Sequence, residues 1–358
     1  MRFINQVEPY ITEKEIQAVD EYMRSGGWIT EFEKTTLFER MIAEFLGVKY
    51  AVVVPNGTIG LYLALLAAGI GRGDSVIVPD YTMIASPNSV IWANAEVLLC
   101  DTERETLCLD IEKVKPRKDT RALMYVSING RCGDMDEIVD YCKDHGLILI
   151  EDACQSFGSK WKGRYMGTFG DIGIFSFSPH KIITTGQGGA IVTNNEEYYS
   201  KVKKLKDFSR VKPGVDIHTG IGYNFKFTDL QAVLGIEQLK SIDFRIQKKR
   251  EIYKEYMNIL SERRGHFSFL PIDLSQVVPW FVDVICGVPR DTVIKALTDN
   301  RIGSRPFYPP IHSQEPYRRY GGSFPVTEEL ASKGLWLPSS LSLNHEDIQR
   351  IKDVLVNL

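Results

Sequence analysis

Between residues 50 and 210, short aliphatic runs alternate with helical patterns, and this alternation restricts the possible folds more than any other feature. Tyr50 to Val54, Ser75 to Val78, Glu96 to Cys100, Ala122 to Val126 and Leu147 to Ile150 read as strands. Between them, apolar residues recur at helical spacing up to Ala68, from Ile84 to Asn94 and from Asp134 to Lys143. The strands are mostly apolar and do not alternate regularly with polar positions, so both of their faces need cover. Such a series predicts a mostly parallel α/β sheet between helices. Residues 227–262 read as helices, one with a stripe of Ile246, Ile252, Tyr256, Ile259 and Leu260. Arg263-Arg264-Gly265 then marks a junction between a large domain, 1–262, and a small C-terminal α+β domain, 263–358.

A formal net charge of −3 gives no basis for a nucleic-acid or membrane partner. No apolar run approaches the roughly 18 residues of a membrane span, and the N-terminus lacks a signal-like apolar core. The six cysteines include no CxxC pair, and several sit in apolar runs such as Val97-Leu98-Leu99-Cys100. Free thiols in a reducing cytoplasm fit that pattern better than a disulfide framework. The basic run Lys248-Lys249-Arg250 lies in a helical stretch and reads as a solvated face. Gly69-Ile70-Gly71-Arg72-Gly73 follows a helix and precedes a strand, the reverse of a dinucleotide-binding loop, and reads as a helix stop with a turn.

Three segments carry chemistry when taken together. In Ser176-Phe177-Ser178-Pro179-His180-Lys181, followed by Gly186-Gln187-Gly188-Gly189, a lysine lies between a strand end and a glycine loop. A desolvated lysine amine condenses with carbonyls near neutral pH. In Ile148-Leu149-Ile150-Glu151-Asp152, an acid sits at the C-terminal end of a buried strand, where open parallel sheets bind ligands. A buried carboxylate calls for a partner, and a protonated pyridine nitrogen is one. Pro55-Asn56-Gly57-Thr58 forms a strand-to-helix junction whose free amides suit a phosphate. Each segment alone also fits a surface lysine, a helix cap or a simple turn. Jointly they supply an amine, a ring-nitrogen acid and a phosphate cradle, the parts of a pyridoxal 5′-phosphate (PLP) site.

Asn56-Gly57-Thr58, Glu151-Asp152-Ala153, Gly167-Thr168-Phe169-Gly170-Asp171, Ser176-Phe177 with Lys181, and Gly222-Tyr223-Asn224 occur in the order found in one family. The chain resembles the DegT/DnrJ/EryC1/StrS sugar aminotransferases over nearly its whole length. That resemblance implies a fold-type I aminotransferase with a seven-stranded, mostly parallel sheet, working as a cytoplasmic homodimer with active sites at the subunit interface. It implies Lys181 as the cofactor-linked lysine and proton carrier, Asp152 at the ring nitrogen and Gln155 near the phenolic oxygen. Gly57, Thr58 and Ser176 would hold the phosphate, joined by Asn224 from the other subunit.

Within the family, the chain is most similar to the branch that aminates C4 of GDP-4-keto-6-deoxymannose with L-glutamate as donor. A C3 or C4 aminotransferase for a dTDP- or UDP-linked keto-sugar, a PLP-dependent sugar dehydratase and a non-catalytic regulator stay open. The dehydrating branch has histidine at the lysine position. Here Lys181 lies five residues after Ser176 and Gly186 ten after it, so His180 is adjacent to the reactive position and not in it. Three departures concern the site. Met83, or Tyr81, stands in for the aromatic that faces the cofactor ring. Gln187 replaces an acid, and Ser127-Ile128-Asn129-Gly130 replaces a His-Leu-Tyr-Gly. For the nucleotide and sugar, the candidates are Trp28, Thr30, Arg305, Tyr308 and His312, with Arg305 suited to a pyrophosphate.

Overall fold

The computed structural model describes every residue except Met1, Pro213 and Arg264. The middle residue of the expected junction Arg263-Arg264-Gly265 is therefore outside the described residues. Seven strands form the central sheet: β1 (Tyr50–Val54), β2 (Ser75–Pro79), β3 (Glu96–Cys100), β4 (Thr120–Val126), β5 (Ile148–Asp152), β6 (Ile172–Ser176) and β7 (Gly189–Thr193). Their spatial order is β1-β7-β6-β5-β4-β2-β3. Every pairing from β6 to β3 is parallel; β7 alone runs against both of its neighbours. The sheet is thus mostly parallel, as the doubly apolar strands predict.

Successive residues of a strand face opposite sides, so each strand feeds two cores. Leu123 and Tyr125 of β4 enter one apolar cluster, while Ala122 and Met124 enter another with Val76, Val78 and Ile174. The second cluster is closed by α3 (Gly57–Ala67), whose Leu61, Leu63, Ala64 and Leu65 are all fully buried. A helix that is apolar on all sides has nowhere to go but the interior. On the opposite side of β1, Val53 meets Phe38 and Ile42 of α2 (Glu33–Leu46) and Ile236 of α7 (Asp229–Lys240).

The long helix α8 (Ile242–Leu260) packs Ile252, Tyr253, Tyr256 and Leu260 onto a second, antiparallel sheet. That sheet is ordered β8 (Phe267–Ser268), β9 (Val282–Cys286), β11 (Gly334–Leu337), β10 (Arg305–Pro306). Along α8 one expectation fails: the run Lys248-Lys249-Arg250 is not a solvated face. Lys249 is 5% exposed, and its Nζ donates to the carbonyls of Trp280 (2.8 Å) and Ser339 (2.6 Å). Arg250 donates to the carbonyls of Val277 and Ser275. Both cations are held by backbone oxygens of other segments, and such partners leave no trace in local charge patterning.

Two further motifs explain themselves through packing. The buried Glu151 carboxylate accepts from the amides of Gly167 (2.7 Å) and Gly170 (2.6 Å), which ties the Gly167–Asp171 loop under β5. Asp171 in turn accepts from the amide of Leu149. All six cysteines are free; Cys132 and Cys154 are half-buried and the others buried. Among the described residues, no helix is long and apolar enough to cross a membrane.

Candidate active site

The parallel strands β1, β2, β5 and β6 end at the same edge of the sheet, and the residues just beyond those ends wall a cavity of about 520 Å³. Ligands in open α/β sheets bind at that edge because helix N-termini and strand ends converge there. Gly57 and Thr58 come from the start of α3, Met83 from the segment after β2, Asp152 and Gln155 from β5 and beyond, and Ser176 and Lys181 from the end of β6. Arg305 and Tyr308 arrive from β10 and the loop after it.

One end of the cavity lies at the start of α3. Asn56 caps the helix by accepting from the amide of Ile59 (2.9 Å), while the amides of the first helical turn have no partner within the helix. Glycine is needed at position 57 for space, since a Cβ there would lie 2.6 Å from Cys154 Sγ and 3.2 Å from Ser176 Cβ. Gly189 meets the same demand from the other side: a Cβ would fall 2.8 Å from the amide of Gly57. The glycine loop therefore lets β7 pass directly behind the Asn56-Gly57 turn.

Asp152 is 5% exposed and sits across from this end. Ser86 Oγ donates to its Oδ2 at 2.7 Å, and the amide of Cys154 donates to Oδ1 at 3.2 Å. Among the described residues, no cation makes an ion pair with it, which leaves a buried anion facing the cavity with hydrogen bonds alone. A cationic ring nitrogen is the partner such a group lacks.

The Lys181 amine forms no ion pair among the described residues and rests over the indole of Trp280, 3.5 Å from the ring centroid. Burial pushes this amine down to about 8; Cys154 and Asp152 oppose that fall and Arg305 adds to it. Near neutrality an appreciable fraction is then the free base, the nucleophilic form. A carbonyl-bearing aromatic phosphate such as PLP thus fits what these residues offer: amides for the phosphate, an anion for the ring nitrogen and an amine for the carbonyl.

His180, the adjacent histidine, also borders the cavity, but its ring lies along Trp280 and Phe281, 5.5 and 6.2 Å between centroids. Burial and the neighbouring cations push it down to about 4, so it is neutral. Gln155 is oriented from below, its Oε1 accepting from the amide of Asn129 at 2.9 Å. Asn129 itself is turned away from the cavity and clasps the backbone of Phe281, accepting from its amide (2.6 Å) and donating to its carbonyl (2.9 Å). The replacement at Ser127-Ile128-Asn129-Gly130 is thus a structural join between β4 and the lead into β9. Gln187 lines the rim.

Other residues singled out from the sequence are placed elsewhere. Tyr81 is fully buried behind Tyr308 and does not line the cavity, whereas Met83 does. His312 is held by buried Asp80, ring nitrogen to carboxylate at 2.7 Å, outside the cavity lining. Trp28 is 63% exposed beside α2 and α7, and Thr30 bridges to Thr228. Asn224 is exposed and bridges to Asp207. Trp28, Thr30 and Asn224 do not border this chain's own cavity. Conversely, Trp280 and Ser86 touch the key groups and were not singled out. Trp280 lies 99 positions after Lys181 in a run that reads as core strand, and no local signal marks it.

The profile of the DegT/DnrJ/EryC1/StrS aminotransferase family matches residues 9–356. The GDP-perosamine synthase of Escherichia coli O157:H7 is 36% identical over 355 residues, covering 97% of this chain and 96% of that protein. That of Vibrio cholerae is 34% identical over 361 residues, with 98% and 97% covered. Among solved structures, the aminotransferase TlmJ from Streptoalloteichus hindustanus superposes with a TM-score of 0.92 at 29% identity, covering 98% of this chain and 97% of that one.

Proposed function

The chain belongs to the DegT/DnrJ/EryC1/StrS family and is a PLP-dependent aminotransferase, and we propose that it moves an amino group from L-glutamate to C4 of GDP-4-keto-6-deoxymannose. The observation that carries the reaction type is the pairing of a free lysine amine over Trp280 with a cation-free buried Asp152 in one cavity. The substrate rests on whole-length similarity to GDP-perosamine synthases at 34–36% identity.

PLP supplies a carbonyl that condenses with amines and an electron-poor ring that delocalises the electron pair left when a neighbouring carbon loses its proton. The chain's residues bind, orient and move protons. Gly57, Thr58 and Ser176 would hold the phosphate, with Asn224 reaching over from the other protomer of a homodimer. Asp152 would keep the ring nitrogen protonated, Gln155 would bond the phenolic oxygen and Met83 would lie against the ring. Lys181 would hold the cofactor between turnovers and, once released from it, would carry the proton between the cofactor's C4′ and the substrate carbon. Arg305 and Tyr308 meet the nucleotide-sugar from the same chain; Trp28, Thr30 and His312 complete its surroundings where two protomers adjoin. In this reading the large domain is 1–262, the small one 263–358, and the enzyme works in the cytoplasm.

The test is direct. Enzyme incubated with L-glutamate and GDP-4-keto-6-deoxymannose is expected to yield a 4-amino sugar, identified by mass and NMR, with dTDP- and UDP-linked keto-sugars turned over more slowly. A product that has lost its C3 hydroxyl would replace the proposal with dehydration, and preference for another nucleotide would replace the substrate. Lys181→Ala is expected to lose the visible-edge absorbance of the linked cofactor and turnover by at least about a thousandfold.

A further inference from the structure

Trp280 is tied to the Lys181 segment from two directions. Its indole face lies 3.5 Å under the amine, and its Nε1 donates to the carbonyl of His180, the preceding residue, at 2.9 Å. The ring itself has little freedom. It is 2% exposed, stacks on Phe281 with 3.9 Å between centroids, and its own carbonyl accepts from buried Lys249 at 2.8 Å. A rigid, negatively polarised ring face is therefore held at a fixed place beside the one amine that must alternate between bound and free.

We propose that Trp280 is a positioning residue whose indole face is the resting place of the protonated Lys181 amine while it is not bonded to the cofactor. The free amine must stay within reach of the reacting carbon, and a flexible four-carbon stem left unrestrained would sample many rotamers. The platform removes that freedom without supplying a carboxylate, which would hold the proton too firmly for transfer. The attraction exists only for the protonated form, so the ring also opposes the loss of the proton that burial favours. The other groups acting on this amine are Asp152 and Cys154, which favour the proton, and Arg305, which disfavours it; His180 and Lys249 flank the ring. The proposal rests on Lys181 being the reactive lysine.

The experiment reads the amine without turnover. Cofactor-free, full-length protein is labelled with trinitrobenzenesulfonate across a pH series, and labelling at Lys181 is followed by peptide mass spectrometry. Wild type is compared with W280F made with ordinary phenylalanine and with pentafluorophenylalanine at that position. The two rings have nearly the same shape and exclude water alike, but fluorination withdraws electron density from the ring face. The labelling midpoint is expected at about 8 in wild type. In the ordinary W280F protein it lies slightly lower, and in the fluorinated one lower again by about 0.5 to 1 pH unit, the size of a cation–π contact. Equal midpoints for the two forms, or a higher one for the fluorinated form, would overturn the proposal. Lys181→Ala protein that still forms the linked-cofactor absorbance would instead overturn the assignment of Lys181, so the two failures are told apart.

Discussion

Burial of Lys249 makes the stability of the fold depend on pH. Its Nζ is enclosed beneath Trp280, and burial pushes it down to about 7, while two carbonyl oxygens at 2.8 and 2.6 Å solvate its protonated form. In the unfolded chain the same amine titrates at about 10.4. Between those values the unfolded state binds more protons than the folded one, so this lysine's contribution makes stability rise with pH. Below pH 7 both states hold the proton and the full penalty of burying it applies. Above about pH 10 neither holds it and the penalty is gone. The slope in between is about 1.4 kcal/mol per pH unit, reduced near pH 7 where the folded amine is half protonated, so roughly 2 kcal/mol separates pH 7 from pH 9. The perturbation is Lys249→Met, which keeps the apolar stem and removes the titrating group. Urea denaturation of both proteins at pH 7 and 9, at one protein concentration, isolates the term because all other ionisations cancel in the difference. Relative to the variant, wild type is expected to gain about 2 kcal/mol on going from pH 7 to 9. A difference that stayed constant would mean that the two carbonyls, not burial, set the proton affinity, and would refute a burial-lowered lysine.

Other perturbations test the cavity and its supports. Gly57→Ala forces a Cβ against Cys154 Sγ and is expected to weaken PLP binding roughly tenfold or more, with G57A/C154A recovering part of it, both read by cofactor titration of the stripped protein. Ser86→Ala removes the side-chain donor to Asp152 and is expected to weaken cofactor retention about ten- to a hundredfold, measured by equilibrium dialysis. Arg131→Met leaves Asp283 buried beside Tyr253 without its cation, at a cost of about 3–5 kcal/mol in denaturant unfolding, most of it restored when D283L is added.

The central sheet was legible because its strands declare themselves: five largely apolar runs, three of them followed by a helix of matching spacing, permit few arrangements. β7 was not legible as a strand, and its antiparallel direction less so. Gly189-Ala190-Ile191-Val192-Thr193 follows the glycine loop without an intervening helix, and that missing crossover reverses it. Lys249 was misread for a related reason. Its neighbours in sequence are Lys248 and Arg250, which suggest water, but its neighbours in space are two carbonyls from segments some 30 and 90 positions away.

The candidate site divides along the same line. Gly57, Asp152 and Ser176 each lie at the end of a sheet strand or the start of the element after it, and Lys181 lies in the loop five residues past β6, so strand order brings all four to one edge of the sheet. Trp280 belongs to no such junction; it precedes β9, and the tertiary path of α8 is what returns it to the lysine. Three buried polar links make that return rigid: Lys249 to the Trp280 carbonyl, Trp280 Nε1 to the His180 carbonyl, and Asn129 to both backbone groups of Phe281. Asn129 also holds Gln155, so one buried side-chain network braces opposite walls of the cavity from behind. Substitutions that keep the strand-end residues but loosen this network are expected to preserve cofactor binding better than catalysis, because the proposed phosphate and ring contacts come from the large sheet while Trp280 meets the amine from the other side.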